Sequence, residues 1–263
     1  MSKHKAIAHT LRRGARGFSM VELMVAVAVS VFLLMGLFTV LQNTHNTSDN
    51  ERLLAQLQDD ERIAMTLFTN VIESAGYYSN ALTSGTMLSA FPVVGSFATA
   101  GQVVVGGTNA QGDTVSLRYQ ADPTDAFVMT CQGTSPIDGN PHTSTFSLDA
   151  NGNLQCSIDG GVPVTLISGV TALSIRYGVG SGIGQPNSAG TPDSYLTAAD
   201  MNAVPIRWTN VYSVKVTLTF KNPLVINAAS ATLQAGQAAA PPITFSRIIS
   251  IKSRTGVNVA NYI

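Results

Sequence analysis

The chain has 263 residues, and its 15 Lys and Arg balance 15 Asp and Glu, so it carries no formal net charge. Charged residues make up only 11% of it against 45% apolar ones, a composition that suits an exported, strand-rich surface better than a cytoplasmic enzyme. The neutrality is an average: Lys3, Lys5, Arg12, Arg13 and Arg16 stand in the first 17 positions with no acid among them, which leaves ten basic against 15 acidic residues in the rest. An acidic body argues against a broad phosphate-binding surface, while leaving room for a local basic patch.

An almost unbroken apolar run begins at Phe18, directly after Gly17, and extends to Leu41 with Glu22 as its single charge. Its length of about 24 residues is enough to cross a hydrocarbon core as a helix. The cations ahead of it hold the leader on the cytoplasmic side and send the C-terminal bulk outward. A secretory signal would carry small, A-x-A-like residues after its apolar region. Here Ser30, Gly36 and Thr39 are scattered, and the small residue, Gly17, comes before the run. The hydrophobic segment is therefore expected to stay with the mature protein. A charge in such a span costs roughly 2.5–3.5 kcal/mol on insertion scales, so Glu22 is either solvated or protonated among headgroups, or it has a partner.

The stretch Gly17-Phe18-Ser19-Met20-Val21-Glu22-Leu23 resembles the prepilin cleavage motif of type IV pilins and type II secretion pseudopilins. In that family a membrane aspartyl peptidase cuts after the glycine and methylates the new N-terminus. The resemblance implies cleavage between Gly17 and Phe18, a mature chain starting at Phe18, and Glu22 as the motif's glutamate. It also implies that Glu22 pairs with the N-terminal amine of a neighbouring subunit during filament assembly.

From Phe18 to Ala75 there is no proline and one glycine, Gly36, so a continuous helix of about 58 residues and roughly 87 Å is predicted. Residues 42–50 are polar on every face and read as a wet, weakly helical junction. Beyond them Ala64, Leu67, Phe68, Val71, Ile72 and Ala75 recur at helical spacing, which turns one stripe toward a core. Asp49 with Arg52 and Asp59 with Arg62 are spaced to pair at i,i+3 on the exposed side, and Gly76 is placed to cap the helix.

Residues 77–112 read as a long loop with one strand at 102–105. Strand patterns follow at 114–119, 126–131, 145–149, 154–158, 164–168, 172–177, 211–220 and 243–252. In Val214-Lys215-Val216-Thr217-Leu218-Thr219-Phe220 apolar and polar residues alternate, the pattern of a half-buried antiparallel strand. Asp149-Ala150-Asn151-Gly152-Asn153 reads as a turn between two short strands. With no strand–helix alternation, the expected class is α+β: a long N-terminal helix packed on a largely antiparallel sheet.

Cys131 and Cys156 both fall in the exported part. They read as one disulfide closing a loop of about 26 residues and contributing about 3 kcal/mol by chain entropy, with two free buried thiols as the alternative. A metal site is not expected: His142 lies inside the loop without a C-x-x-C or a second histidine. The mature part keeps only His45 and His142, and His142, in a Pro- and Ser-rich stretch, is expected to be solvated. The run Gly178-Val179-Gly180-Ser181-Gly182-Ile183-Gly184 lacks a following helix or a P-loop lysine, so a surface loop is the better reading than a phosphate cradle. Asp193 and Asp200 offer too few carboxylates for calcium. No G-x-S-x-G or H-E-x-x-H motif occurs, and neither catalytic residues nor a cofactor are expected. Trp208 reads as a core or strand-edge aromatic. Arg247, Lys252 and Arg254 on the last strand suggest a modest basic patch, too thin for direct nucleic-acid binding.

The exported region is similar to the PilW family of minor pilins, relatives of the J-type pseudopilins. The similar stretches are the helix end DDERIAMTLFTNVIESAGYY, Asp113 to Gln120, Gly152-Asn153-Leu154-Gln155-Cys156, Leu166 to Gly178 and Trp208-Thr209-Asn210-Val211. After Tyr177-Gly178 many relatives carry an Asp-rich loop, which this chain replaces with GVGSGIGQPNSAGTPDSY. The resemblance implies a cleaved leader at 1–17, a transmembrane and filament-core helix at 18–41, its amphipathic continuation at 42–76 and a periplasmic β-rich domain at 77–263. It also implies a single-pass protein of the bacterial inner membrane that primes pilus assembly near the tip. Its partners would be prepilin peptidase, other minor pilins, the major pilin and the inner-membrane assembly platform. Three alternatives stay open: a type II secretion pseudopilin, a tip-exposed receptor or adhesin for DNA uptake, and a single-pass periplasmic enzyme.

Overall fold

The computed structural model describes residues 19–79, 86–121, 128–135, 138–180, 191–223 and 241–255. Its first element is the helix α1, Met20–Ser74, which contributes to two compact units: one ends at Arg52 and the other runs from Leu53 to the C-terminus. Residues 42–50 are helical, where the sequence suggested a weak junction. The hydroxyls of Thr44 and Thr47 donate to the carbonyls of Val40 and Asn43, so these polar side chains are accommodated within the helix without breaking it.

The second unit follows α1 with a short helix α2 (Met87–Ala90) and five strands: β1 (Val104–Asn109), β2 (Gly112–Gln120), β3 (Pro141–Leu148), β4 (Leu154–Ile158) and β5 (Val164–Ile167). These form one antiparallel sheet in simple chain order. Next come β6 (Val170–Val179), β7 (Ser194–Leu196), the helix α3 (Ala198–Asn202), a 3-10 turn at Pro205–Asn210, β8 (Val211–Phe220), β9 (Ile243–Ser250) and a last turn, α4 (Lys252–Thr255). Strands β7, β6, β8 and β9 lie side by side in that order, all antiparallel. The class is α+β as expected, with two sheets in place of the one the strand pattern suggested.

The helix stripe does pack. Of its residues Ala64, Phe68, Val71, Ile72 and Ala75 are fully or almost fully buried while Leu67 is half-buried, Met65 joins the buried face, and the Phe68 ring lies 4.3 Å from that of Phe146 on β3. Gly76 ends the helix at φ +75°, a left-handed conformation that glycine adopts without strain. Its N–H donates to the Arg118 carbonyl at 2.8 Å, and the Gln120 N–H donates to the Tyr77 carbonyl at 2.8 Å, so the chain leaving α1 is tied at once to β2. Of the two expected i,i+3 pairs, Arg62 meets Asp59 at 3.4 Å on the exposed side.

Two side chains bind the sheets together. The Asp113 carboxylate on β2 accepts the Ile175 N–H of β6 at 2.8 Å, and the buried Tyr177 hydroxyl donates to the Thr114 carbonyl at 3.4 Å. Tyr177 fits because Gly106 on β1 has no side chain: a Cβ there would collide with the tyrosine hydroxyl. That contact gives Gly106 its place in a strand that the sequence put at 102–105, and pairing of Gly107 with Thr114 carries the strand on toward Asn109. Arg118, 3% exposed, points into the segment between α2 and β1. Its guanidinium donates to the Pro92 carbonyl at 2.7 Å and twice to that of Gln102, and sits 4.0 Å from the Phe97 ring centroid. Burial pulls its pKa down to about 10, so it stays charged.

Other predicted strands shift. Of the run at 126–131, residues 126 and 127 lie outside the described residues, and 128–131 are not a strand. Thr130 and Thr134 form a local turn, with the Thr130 N–H on the Thr134 carbonyl at 2.7 Å and the Gly133 N–H on the Thr130 carbonyl at 3.0 Å. The strand predicted to reach residue 252 stops at Ser250. The Asp149 turn forms as expected, its carboxylate accepting the N–H groups of Asn151 and Asn153 at 2.9 and 2.8 Å.

Because no described residue ahead of Leu57 is buried, a chain starting at Leu53 should remain in solution without detergent and melt with the full-length protein's folded domain. Differential scanning fluorimetry of the two chains checks this. Gly106→Ala should destabilise that domain by about 1–3 kcal/mol through overpacking against Tyr177, measured by urea unfolding.

Candidate functional site

Every described residue of α1 up to Asp49 is exposed, including Met20 at 85% and Phe32 at 78%. A helix apolar on all faces is built for a lipid or protein environment rather than for water. By length and composition it qualifies as a membrane span. Between Met20 and Leu41 the polar side chains are Glu22, Ser30 and Thr39. The Ser30 hydroxyl donates to the Ala26 carbonyl at 2.7 Å and that of Thr39 to Met35 at 3.0 Å, so both are satisfied inside the helix, as a non-aqueous medium requires. Glu22 has no such partner among the described residues. It stands in the first turn, where the helix dipole favours an anion. Gly17 and Phe18 lie outside the described residues.

In the second unit Cys131 and Cys156 are joined by a disulfide with Cα atoms 6.1 Å apart. The bridge ties the turn after Val128 to β4, and the Cys131 N–H also donates to the Ser144 hydroxyl at 3.3 Å. His142 departs from expectation. It belongs to β3, its side chain is only 18% exposed, and its ring lies between the carboxylates of Asp138 and Asp159 at 2.8 and 2.7 Å. Sequence reading missed these partners because one precedes and the other follows the strand pair that folds them together.

The remaining candidates resolve into structural parts. Asp200 closes a capping box with Thr197 at the start of α3. These hydrogen bonds, with smaller help from Arg176 and Arg207, hold its carboxyl below the usual range. Trp208 is 3% exposed, donates its indole N–H to Asn202 at 3.0 Å and meets Tyr177 edge-on at 4.7 Å, so it is a core residue. The suggested patch of Arg247, Lys252 and Arg254 does not form. Lys252 pairs with Glu73 at 2.6 Å, while Arg254 is drawn inward and donates to the Gly101 carbonyl at 2.6 Å. Gly178 belongs to β6, and residues 181–190 of the glycine-rich run lie outside the described residues. Among the described residues no three His, Cys, Asp or Glu side chains converge as a metal would require.

What distinguishes this chain chemically is therefore the exposed apolar stretch of α1 from Met20 to Leu41, with one carboxylate that is unmatched among the described residues. The arrangement can associate with lipid and with other helices.

Comparison with known proteins agrees with that emphasis. Residues 12–38 match the prokaryotic N-terminal methylation motif, and residues 149–250 match the type IV pilus-assembly protein W family, PilW. No curated protein matches the chain. Among solved structures, the type IV-like pilin TTHA1219 from Thermus thermophilus is similar at 13% identity, covering 76% of this chain and 98% of its own, with a TM-score of 0.40. The methylation motif spans Gly17 to Glu22 and the second match spans β4 to β9, so the resemblance read from the sequence, to PilW type IV pilus-assembly proteins, is borne out at both ends of the chain.

Proposed function

We propose that the chain is a minor type IV pilin, cut between Gly17 and Phe18 by prepilin peptidase and held in the inner membrane by residues 18–41 until it enters a pilus. Its β-rich part, from residue 77 onward, is then periplasmic. The observation that carries this reading is the one polar side chain between Met20 and Leu41 left unmatched among the described residues: Glu22, inside the methylation motif. On cleavage, Phe18 becomes the first residue and Glu22 the fifth. A neighbouring subunit's methylated amine then supplies the charge that Glu22 lacks.

Lipid already solvates the apolar faces, so helix association gains little from hydrophobicity. It depends on packing and on pairing of polar groups, which gives one ion pair control of register. The chain then acts with other minor pilins on the assembly platform to prime a fibre near its tip, and the major pilin extends it.

Two substitutions test the proposal. Gly17→Ala should abolish processing and leave an unassembled precursor, seen as an unchanged N-terminus by mass spectrometry; normal maturation contradicts it. Glu22→Ala should still be cleaved, yet its recovery in sheared fibres and with partner pilins should fall several-fold; undiminished recovery removes the pairing role.

A further inference from the structure

The His142 imidazole is held by two carboxylates at once. Its Nδ1 lies 2.7 Å from Asp159 Oδ2 and its Nε2 lies 2.8 Å from Asp138 Oδ1. An ionised carboxylate only accepts, and a neutral imidazole has a single N–H. Both bonds can therefore exist together only when the ring is the doubly protonated cation. The two anchors differ in how firmly each is fixed. Asp159 is bound to β3 independently of the histidine: its own N–H donates to the Thr143 carbonyl at 2.8 Å, and its Oδ1 accepts the Thr143 N–H at 2.7 Å. It holds this place at φ +52°, a left-handed conformation for a residue with a side chain. Asp138 accepts the Asn140 N–H at 2.9 Å, a bond inside its own segment. Among the described residues outside that segment, its carboxylate reaches His142 alone.

We propose that Asp138, His142 and Asp159 form a proton-gated latch, which pins the segment entering β3 to the end of β4 when the ring is protonated and frees its Asp138 side when the proton leaves. The single N–H that remains stays with the anchored Asp159, and the lone pair then exposed at Nε2 faces the lone pairs of Asp138. The remaining ionisable neighbour is Tyr119, the register partner of His142 on β2, whose hydroxyl is engaged with Ser144 at 2.7 Å and stays neutral, since burial first and the Asp159 charge after it push its pKa up to about 12.

The direction of the pH dependence follows. Burial lowers the His142 pKa, but the hydrogen bonds and charges of Asp159 and Asp138 outweigh it and raise the group above its ordinary value. A raised histidine contributes stability that is complete below its unfolded pKa and is lost as pH rises through the folded one. On the acid side the Asp138 carboxyl is held well below the usual range, by the Asn140 N–H first and His142 next, so the latch stays shut there. The segment it controls also includes Gly139, whose N–H donates to the Ala121 carbonyl at 2.9 Å and whose carbonyl accepts from the Gln120 side-chain amide. If this part of the chain is exported, as proposed above, it meets the pH of the surroundings.

The test uses the full chain in detergent micelles with nitrogen-labelled histidine, assigned with His142→Gln. The His142 ring should titrate above an unstructured histidine peptide. Hydrogen-exchange protection at the amides of Gly139, Asn140 and His142, corrected for intrinsic rates, should fall several-fold as pH rises through that value. In Asp138→Asn the new amide can donate to a neutral Nε2, so the pH step in protection should vanish while the segment stays ordered. A ring titrating at or below the peptide, or protection in the wild-type chain that shows no step, overturns the proposal. Neither outcome depends on processing at Gly17 or on assembly through Glu22, so failure here leaves the pilin reading intact, and failure there leaves the latch.

Discussion

Water is a poor solvent for a helix that is apolar on every face, and that constraint governs the N-terminal unit. From Met20 to Leu41 the surface consists of Met, Val, Leu, Phe and Ala side chains, all exposed, with hydroxyls folded back onto the helix's own carbonyls. Such a surface is stable only against lipid or against other helices. Glu22 is the exception: among the described residues it is the one acidic side chain between Met20 and Leu41, and no side chain of this stretch carries an opposite charge.

The second unit obeys the ordinary rules of a water-soluble domain. Its core is one contiguous cluster from Leu57 to Ile251, drawing on α1, both sheets and the residue that follows β9. The sheets are joined by few polar contacts, and those few are specific. Asp113 reaches across to a backbone N–H, and Tyr177 lies over a glycine that has no side chain to obstruct it. The end of α1 is fastened at Gly76 and Tyr77 to β2, and on its other side the Ser253 hydroxyl donates to the Ala75 carbonyl at 2.7 Å. The last residues of the helix are thus integral to the domain.

Periodicity made the helix stripe and the alternating strands legible, since a face that must be buried announces itself every two or three to four residues. Strand β8 and strand β4 were bounded correctly for that reason. Legibility failed where distant residues decide. Gly106 looks like part of a loop until Tyr177, far along the chain, is placed over it. His142 looked solvated because Asp159 becomes its neighbour only when β3 and β4 pair. Lys252 and Arg254 looked like surface cations, yet one meets Glu73 of α1 and the other a buried carbonyl. The second sheet went unseen because strand patterns carry no statement of which strands are neighbours.

Arg118 illustrates a different way of securing a surface segment. Its charge is balanced by the dipoles of the Pro92 and Gln102 carbonyls and by two ring faces, those of Phe97 and Phe91. None of those groups gains or loses a proton under physiological conditions. The stretch between α2 and β1 is accordingly riveted at any pH below the Arg118 pKa of about 10, although it is tied to β2 only one register step from the position that faces His142, where the proposed latch would respond to milder changes.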